Sequence, residues 1–74
     1  MIRVPDPQRI GVILADLRAM NLLSQAALAR QVGMQQARLS DWETGKAIPT
    51  LPYLTPVLRE LGFDLALVPR KDAA

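Results

Sequence analysis

The stretch SQAALARQVGMQQARLSDWETG, residues 24–45, decides the fold of this 74-residue chain. Ser24 is a favourable N-cap for the residues after it, which have high helix propensity and place Leu28 and Val32 on one face. Gly33 then predicts a sharp turn, because glycine adopts a positive φ at little cost. The first part of the stretch is therefore expected to form a short helix that ends at Gly33.

The second part of the stretch, Gln35 to Gly45, predicts another short helix with one apolar and one polar face. Leu39 and Trp42 are three residues apart and point to the core, and Met34 before them fills the gap between the two helices. Two short helices joined by a glycine turn, with a polar outer face on the second, are typical of a helix-turn-helix motif. The second helix of such a motif can enter the major groove of DNA.

The flanking residues predict two further helices and one strand. Apolar residues recur with helical spacing at Ile10, Ile13, Leu14 and Leu17 and at Leu51, Leu54, Leu58 and Leu61. Asp6 is expected to cap the first helix, and Asn21 to end it in a left-handed conformation. Pro56 either bends the last helix, which is the interpretation we favour, or leaves a shorter helix capped by Thr55. The alternating residues 63–69 predict a β-strand.

The composition excludes several classes of function. The chain has neither histidine nor cysteine, so it lacks the commonest metal ligands and the most frequent general base. We therefore expect no enzyme, no catalytic residue, no metal and no cofactor. No apolar run approaches the ~18 residues of a membrane span, and no signal peptide is apparent, so a cytoplasmic location is expected. The net charge of +2 permits nucleic-acid binding without demanding it.

Side chains on the polar face have the chemistry to read DNA. Glutamine can bond to N6 and N7 of adenine, arginine can pair with guanine, and alanine can contact the thymine methyl group. The residues expected there are Gln35, Gln36, Ala37, Arg38, Ser40 and Asp41. Asp41 could accept from cytosine N4 or brace Arg38. Gln25 begins its helix, where it could bond a phosphate and brace Gln36, and Thr44 and Lys46 close the second helix with a hydroxyl and a cation.

Residues 8–62 resemble the Cro/repressor-type helix-turn-helix family of phage and bacterial regulators. The matching positions are Arg18, Leu23-Ser24-Gln25, Leu28-Ala29, Val32-Gly33-Met34, Leu39-Ser40, Trp42-Glu43, Gly45-Lys46, Pro49 and the Leu54, Leu58, Leu61-Gly62 series. The resemblance implies a single lambda-repressor-like domain over residues 1–74, mainly α, with four helices plus the C-terminal strand. It also implies a structural ion pair between Arg18 and Glu43. The family's phosphate-contact positions fall on Ser24, Gln25, Thr44 and Lys46, and its base-reading positions on Gln35, Gln36, Ala37, Ser40 and Asp41.

The chain has a predicted C-terminal strand where the family usually has a fifth helix. In this feature it resembles the HipB-type antitoxins of HipA/HipB toxin–antitoxin pairs. That similarity implies a homodimer that binds operator DNA, represses its own operon and holds a HipA-like kinase toxin. The dimer is expected to form by strand pairing across two chains, through Phe63, Leu65, Leu67 and Val68. The alternatives are a phage or restriction-system repressor without a toxin partner, and a protein-interaction module that has lost DNA binding. Leu22 stands where the family usually has glycine.

Overall fold

The computed structural model describes residues 1–4 and 6–70, and this part of the chain forms four α-helices. Their bounds are α1, Ile10–Met20; α2, Gln25–Val32; α3, Gln36–Thr44; and α4, Leu51–Glu60, and a single 3-10 turn, Pro7–Arg9, precedes α1. The predicted order of four helices, with the helix-turn-helix formed by the second and third, is therefore confirmed. No single helix among these is long and apolar enough to span a membrane. The segments Pro7–Met20 and Gln25–Val32 reach the length and hydropathy of a span only when taken together, and they are bent by 98° relative to each other.

Side-chain caps and one glycine fix the helix ends that the sequence predicts. The Asp6 carboxylate accepts a hydrogen bond from the Gln8 N–H at 3.0 Å, and the Ser24 hydroxyl oxygen accepts one from the Ala27 N–H at 3.0 Å. Each bond satisfies a donor that the helix itself leaves unpaired. Gly33 has a φ of +72° and ends α2, so the turn between α2 and α3 uses the left-handed conformation that glycine allows.

The core is formed by one apolar face from each helix. Its buried members are Ile10, Leu14, Leu17, Leu28, Ala29, Leu39, Trp42, Leu54, Val57, Leu58 and Leu61, with Ile13, Leu23, Val32, Met34 and Phe63 packed against them. α3 packs on α1 and α2, and α4 packs on α2. Helix α3 is therefore held from two sides while its remaining surface faces outward.

The buried face of α4 differs by one position from the predicted one. Leu51 is 64% exposed, whereas Val57 is buried, so the apolar stripe runs through positions 54, 57, 58 and 61. The helix continues from Leu51 through Pro56 to Glu60, and the shorter helix capped by Thr55 is not formed. The Thr55 hydroxyl instead donates to the Leu51 carbonyl oxygen at 2.7 Å, the bond typical of a threonine inside a helix.

The left-handed residue between α1 and α2 is Leu22, with a φ of +58°, and not Asn21, whose φ is −88°. Asn21 ends α1 as its C-cap, as predicted, but the prediction that it does so in a left-handed conformation was wrong. Its side-chain amide donates to the Leu17 carbonyl oxygen at 2.8 Å, which suits a residue still in register with the last turn of α1. The change of direction falls one residue later, at Leu22, where the family that the sequence resembles usually has glycine.

The predicted β-strand over residues 63–69 is absent: residues 63–70 form neither helix nor strand. The Phe63 N–H donates to the Leu58 carbonyl oxygen at 2.8 Å, which closes the end of α4, and the Phe63 ring packs against the core. A strand is completed by hydrogen bonds to a neighbouring strand. Nothing else in the described part of this single chain adopts strand structure, so the alternating pattern has no partner here.

Candidate nucleic-acid interface

An ion pair joins the last turn of α1 to the last turn of α3. The Arg18 guanidinium donates to both carboxylate oxygens of Glu43 at 2.8 Å, and its third nitrogen donates to the Leu23 carbonyl oxygen at 2.8 Å. The Glu43 side chain is only 5% exposed. A forked, partly desolvated pair of this kind restricts the orientation of both helices. The structure thus brings together the two residues that the resemblance paired.

Gln25 provides a further donor to the same carboxylate. Its side-chain amide donates to Glu43 at 3.0 Å. Gln25 therefore braces Glu43, whereas the sequence had suggested that it would brace Gln36. Burial acts to raise the pKa of Glu43, but the hydrogen bonds from Arg18 and Gln25 and the charge of Arg18 outweigh it, and the pKa of Glu43 lies below its ordinary value. The hydrogen bond to Glu43 is also the main reason that the pKa of Arg18 is raised. The first turn of α2 is thereby fixed to the last turn of α3.

The two predicted phosphate-contact hydroxyls differ in what they can still donate. The Ser24 oxygen accepts a backbone hydrogen bond, so its own hydrogen remains available to a phosphate oxygen. The Thr44 hydroxyl already donates to the Ser40 carbonyl oxygen at 2.9 Å. A phosphate contact from the Thr44 side chain would break that bond. Lys46 is exposed in the loop after α3, where its ammonium group can reach outward.

The outer face of α3 carries the predicted base-reading residues. Gln35, Gln36 and Ala37 are exposed, and Ser40 and Asp41 are half-buried. Gln35 is the N-cap of α3 without a side-chain capping bond, so its amide group is not committed to the helix. Gln35 thus directly precedes α3, and the other four residues lie in its first two turns, the part that a recognition helix directs to base edges.

Arg38 is exposed on α3 but its side chain crosses to α4. The guanidinium carbon lies 5.0 Å from the centre of the Tyr53 ring. No ion pair joins Arg38 to Asp41 within the described residues, so the brace considered from the sequence does not form. Tyr53, in the first turn of α4, is therefore a neighbour of the candidate interface that the sequence did not single out.

Gly11 is a second residue that sequence reasoning missed. It is buried in α1, and a β carbon at this position would overlap the Trp42 carbonyl oxygen. The small residue lets α1 approach the backbone of α3. In the sequence, the only available signal was a glycine beside Ile10 at the start of the apolar stripe of α1, which is also a position where glycine weakens a helix.

The predicted dimerisation residues do not behave alike. Phe63 is partly buried against the core, whereas Leu65, Leu67 and Val68 are exposed. Phe63, Leu65 and Val68, but not Leu67, line an apolar groove of about 490 Å³. Its other walls are formed by residues 1–4 and by apolar side chains of α1 and α4.

Comparison with known proteins agrees with this geometry. The helix-turn-helix family profile matches residues 14–68. The ImmF control region 10 kDa protein of Bacillus phage phi105 is 30% identical over 60 residues, which cover 81% of this chain and 67% of that protein.

Three solved structures share the fold. A HipB–O1–O2 complex has a TM-score of 0.79 at 23% identity, covering 93% of this chain and 100% of that chain. An O2 20mer complex of a HipB variant has a TM-score of 0.82 at 25% identity, covering 96% and 99%. A HipA–HipB–O2–O3 complex has a TM-score of 0.81 at 24% identity, covering 96% and 100%. With the family match over most of its length, and with α2 and α3 locked as described, this chain belongs to the helix-turn-helix family of DNA-binding regulators.

Proposed function

We propose that this chain is a sequence-specific repressor that binds operator DNA as a homodimer, with one α3 in each half-site. The observation that carries the proposal is the pairing of a fixed α3 with an uncommitted polar face. The Arg18–Glu43–Gln25 cluster anchors the buried side of the helix, while Gln35 and Gln36 remain exposed on the other side. Side chains held on a rigid helix read base edges without a further loss of backbone entropy on binding.

The proposed contacts divide into two groups. The first group reads bases and consists of Gln35, Gln36, Ala37, Ser40 and Asp41. The second group contacts phosphates and consists of Ser24, Gln25, Thr44, Lys46 and Arg38. Phosphate contacts set the register of the protein on the duplex, whereas base contacts select the sequence. Of the residues proposed to contact phosphates, Ser24, Lys46 and Arg38 donate no side-chain hydrogen bond within the described residues.

A selection experiment tests the DNA-binding proposal. Purified protein is equilibrated with a random duplex library, and bound DNA is amplified over several rounds. We expect enrichment of a two-fold symmetric site whose half-sites are ~34 Å apart centre to centre. Binding that is equally strong for the starting library and the selected pool would contradict sequence-specific regulation, and would favour a fold kept for protein interaction.

The homodimer is supported by the size of one reading surface. α3 has nine residues, a length of about 13 Å at 1.5 Å per residue, which reaches only a few base pairs. Two copies related by a two-fold axis double the contacts. Exposed apolar residues that line the groove give a second reason, because a second chain would remove Ile2, Val4 and Leu65 from water.

Point substitution tests the dimer without damage to the core. Leu67 is fully exposed, so Leu67→Asp leaves the fold of one chain intact, whereas truncation at Phe63 would remove a core contact. Leu22→Asp is the matched control, because Leu22 is 93% exposed, lies between α1 and α2 and does not line the groove. We expect a dimer by light scattering for the unchanged chain and the control, and a monomer for Leu67→Asp. A Leu67→Asp chain that remains dimeric would exclude this segment as the interface.

We further propose that the protein acts as an autorepressing antitoxin with a HipA-like kinase partner. The support is the similarity in fold to the chain of the HipA–HipB–O2–O3 complex. The phage control-region relative favours a second candidate, a repressor with no toxin partner. Expression with the product of the neighbouring gene distinguishes them. Stable co-purification with a kinase-like product, together with relief of its growth arrest, supports the antitoxin; a neighbour that encodes no kinase-like protein supports the phage-type regulator.

A further inference from the structure

Tyr53 and Arg38 form a pair that bridges the recognition helix and α4. The guanidinium carbon is 5.0 Å from the ring centre, within the ~6 Å over which a cation and an aromatic ring attract each other. Tyr53 is 58% exposed, so the ring is not placed there by the core. Arg38 has no acidic partner among the described residues. The ring is therefore the group that defines where this side chain lies.

The direction of the Arg38 side chain separates it from the base-reading residues. A recognition helix lies in a groove ~12 Å wide whose floor is formed by base edges and whose walls are formed by phosphates. Gln36 and Ala37 lie on the exposed face beside Arg38. Arg38 instead extends sideways along α3 towards the first turn of α4. A cation held at the flank of the helix meets the wall of the groove and not its floor.

We infer that Tyr53 is a positioning residue that holds the Arg38 guanidinium against a DNA phosphate at the edge of the major groove. This rests on the proposed function. The ring covers one face of the guanidinium, and the N–H groups at its edge keep their fork geometry for two phosphate oxygens. Arg38 thereby leaves the base-reading set to which the sequence had assigned it. Its contact fixes register and affinity and does not select sequence.

Four variants test the assignment: Tyr53→Phe, Tyr53→Leu, Arg38→Ala, and Tyr53→Leu combined with Arg38→Ala. Binding is measured by fluorescence anisotropy between 50 and 200 mM salt, on the selected site and on an unrelated duplex of equal length. Tyr53→Phe keeps the ring and is the matched control. Because Tyr53 is exposed, all four are expected to fold, which is checked by their thermal unfolding midpoints.

The expected pattern is specific to a phosphate contact made through Arg38. Tyr53→Leu weakens binding about two- to fivefold on both duplexes, and Tyr53→Phe leaves it unchanged. Arg38→Ala reduces the slope of log K against log salt by about 0.9. In the Arg38→Ala background, Tyr53→Leu has no further effect, which a purely structural role of the ring would not produce.

Other outcomes overturn the assignment in distinguishable ways. Equal losses for Tyr53→Phe and Tyr53→Leu would show that the hydroxyl group contacts DNA directly. Independent losses in the double variant would separate Tyr53 from Arg38. A loss for Arg38→Ala on the selected site alone would return Arg38 to base reading. If the unchanged chain prefers no duplex, the proposed function fails as well, whereas the preceding outcomes leave it standing.

Discussion

Gly11 of α1 lies directly against the main-chain carbonyl group of Trp42 in α3. A β carbon at Gly11 would be 2.8 Å from the Trp42 carbonyl carbon and would overlap its oxygen. The obstacle is backbone in a packed helix, which cannot rotate away as a flexible side chain can. The closest approach of the recognition helix to α1 therefore depends on a residue that has no side chain.

Gly11→Ala is expected to destabilise the protein by about 2–3 kcal/mol or more, because overpacking against backbone forces α1 and α3 apart. Urea unfolding followed by circular dichroism measures the change. Val12→Ala, at an exposed position of the same helix turn, is the control and is expected to change stability by less than about 1 kcal/mol. If the two variants unfold at the same urea concentration, α1 and α3 accommodate a β carbon at Gly11 without loss of stability, which contradicts the close contact with Trp42.

Glu43→Gln is expected to reduce the loss of stability in acid. The pKa of Glu43 is lowered by folding, so the folded protein binds this proton less readily than the unfolded chain. The carboxylate therefore stabilises the fold at pH values above the unfolded-state pKa of about 4.3, and this contribution disappears as the pH falls through the lower folded-state pKa.

The measurement is the free energy of unfolding as a function of pH. From about pH 5 downward, the unchanged chain is expected to lose more stability than Glu43→Gln. Glu60→Gln, which replaces an exposed carboxylate of α4, is the control and should lose as much stability in acid as the unchanged chain. If the free energy of unfolding depends on pH in the same way for all three proteins, the protonation of Glu43 does not contribute to acid unfolding.

Gln36→Ala should weaken binding to the selected DNA site by about 1–3 kcal/mol while sparing binding to an unrelated duplex, because it removes a base contact and no charge. The side chain is exposed at the first residue of α3, so folding is unaffected. Gln31→Ala, an exposed glutamine near the end of α2, provides the comparison in titrations of both duplexes. Equal weakening on both would argue against base reading by Gln36.

Lys46→Ala should lower affinity on every duplex and reduce the salt slope by about 0.9, because one phosphate contact fewer releases one counterion fewer. Lys46 lies in the exposed loop after α3. Anisotropy titrations at several salt concentrations give the slope, with Lys46→Arg expected to preserve it. A slope that Lys46→Ala leaves unchanged would place this ammonium group away from the DNA backbone.

Leu22→Gly should raise the free energy of unfolding by about 0.5–1 kcal/mol. Leu22 adopts a φ of +58°, a conformation that costs a side-chain-bearing residue about 1–2 kcal/mol, while glycine's extra freedom in the unfolded chain offsets part of the gain. The leucine side chain is exposed, so little packing is lost. Gly33→Ala makes the reverse exchange at another residue with positive φ and should destabilise the protein. A lower stability for Leu22→Gly would mean that the contacts of the leucine side chain stabilise the fold by more than its backbone strain costs.

The sequence predicted those features that depend on neighbours within one or two turns. The apolar spacing located four helices, and the caps at Asp6 and Ser24 and the turn at Gly33 followed from residues a few positions apart. These are local effects, because the competing conformations of a cap or a glycine turn are decided by the adjacent peptide groups.

Several features that the sequence did not predict involve a partner distant along the chain. Gln25 could not be assigned to Glu43, nor Arg38 to Tyr53, before the helices were placed side by side. The strand predicted at the C-terminus failed for the same reason, since alternation shows that a segment suits a sheet but does not supply the second strand.

The sequence by itself thus determined the helix-turn-helix and the chemistry available on its outer face. Only the tertiary structure decided which of those side chains remain uncommitted. Gln36 is left exposed, Gln25 is bonded to a carboxylate, and Arg38 lies on an aromatic ring of α4. The physical reason is that periodicity fixes the face of a helix on which a side chain lies, whereas its hydrogen bonds depend on what another helix brings within about 3 Å of it.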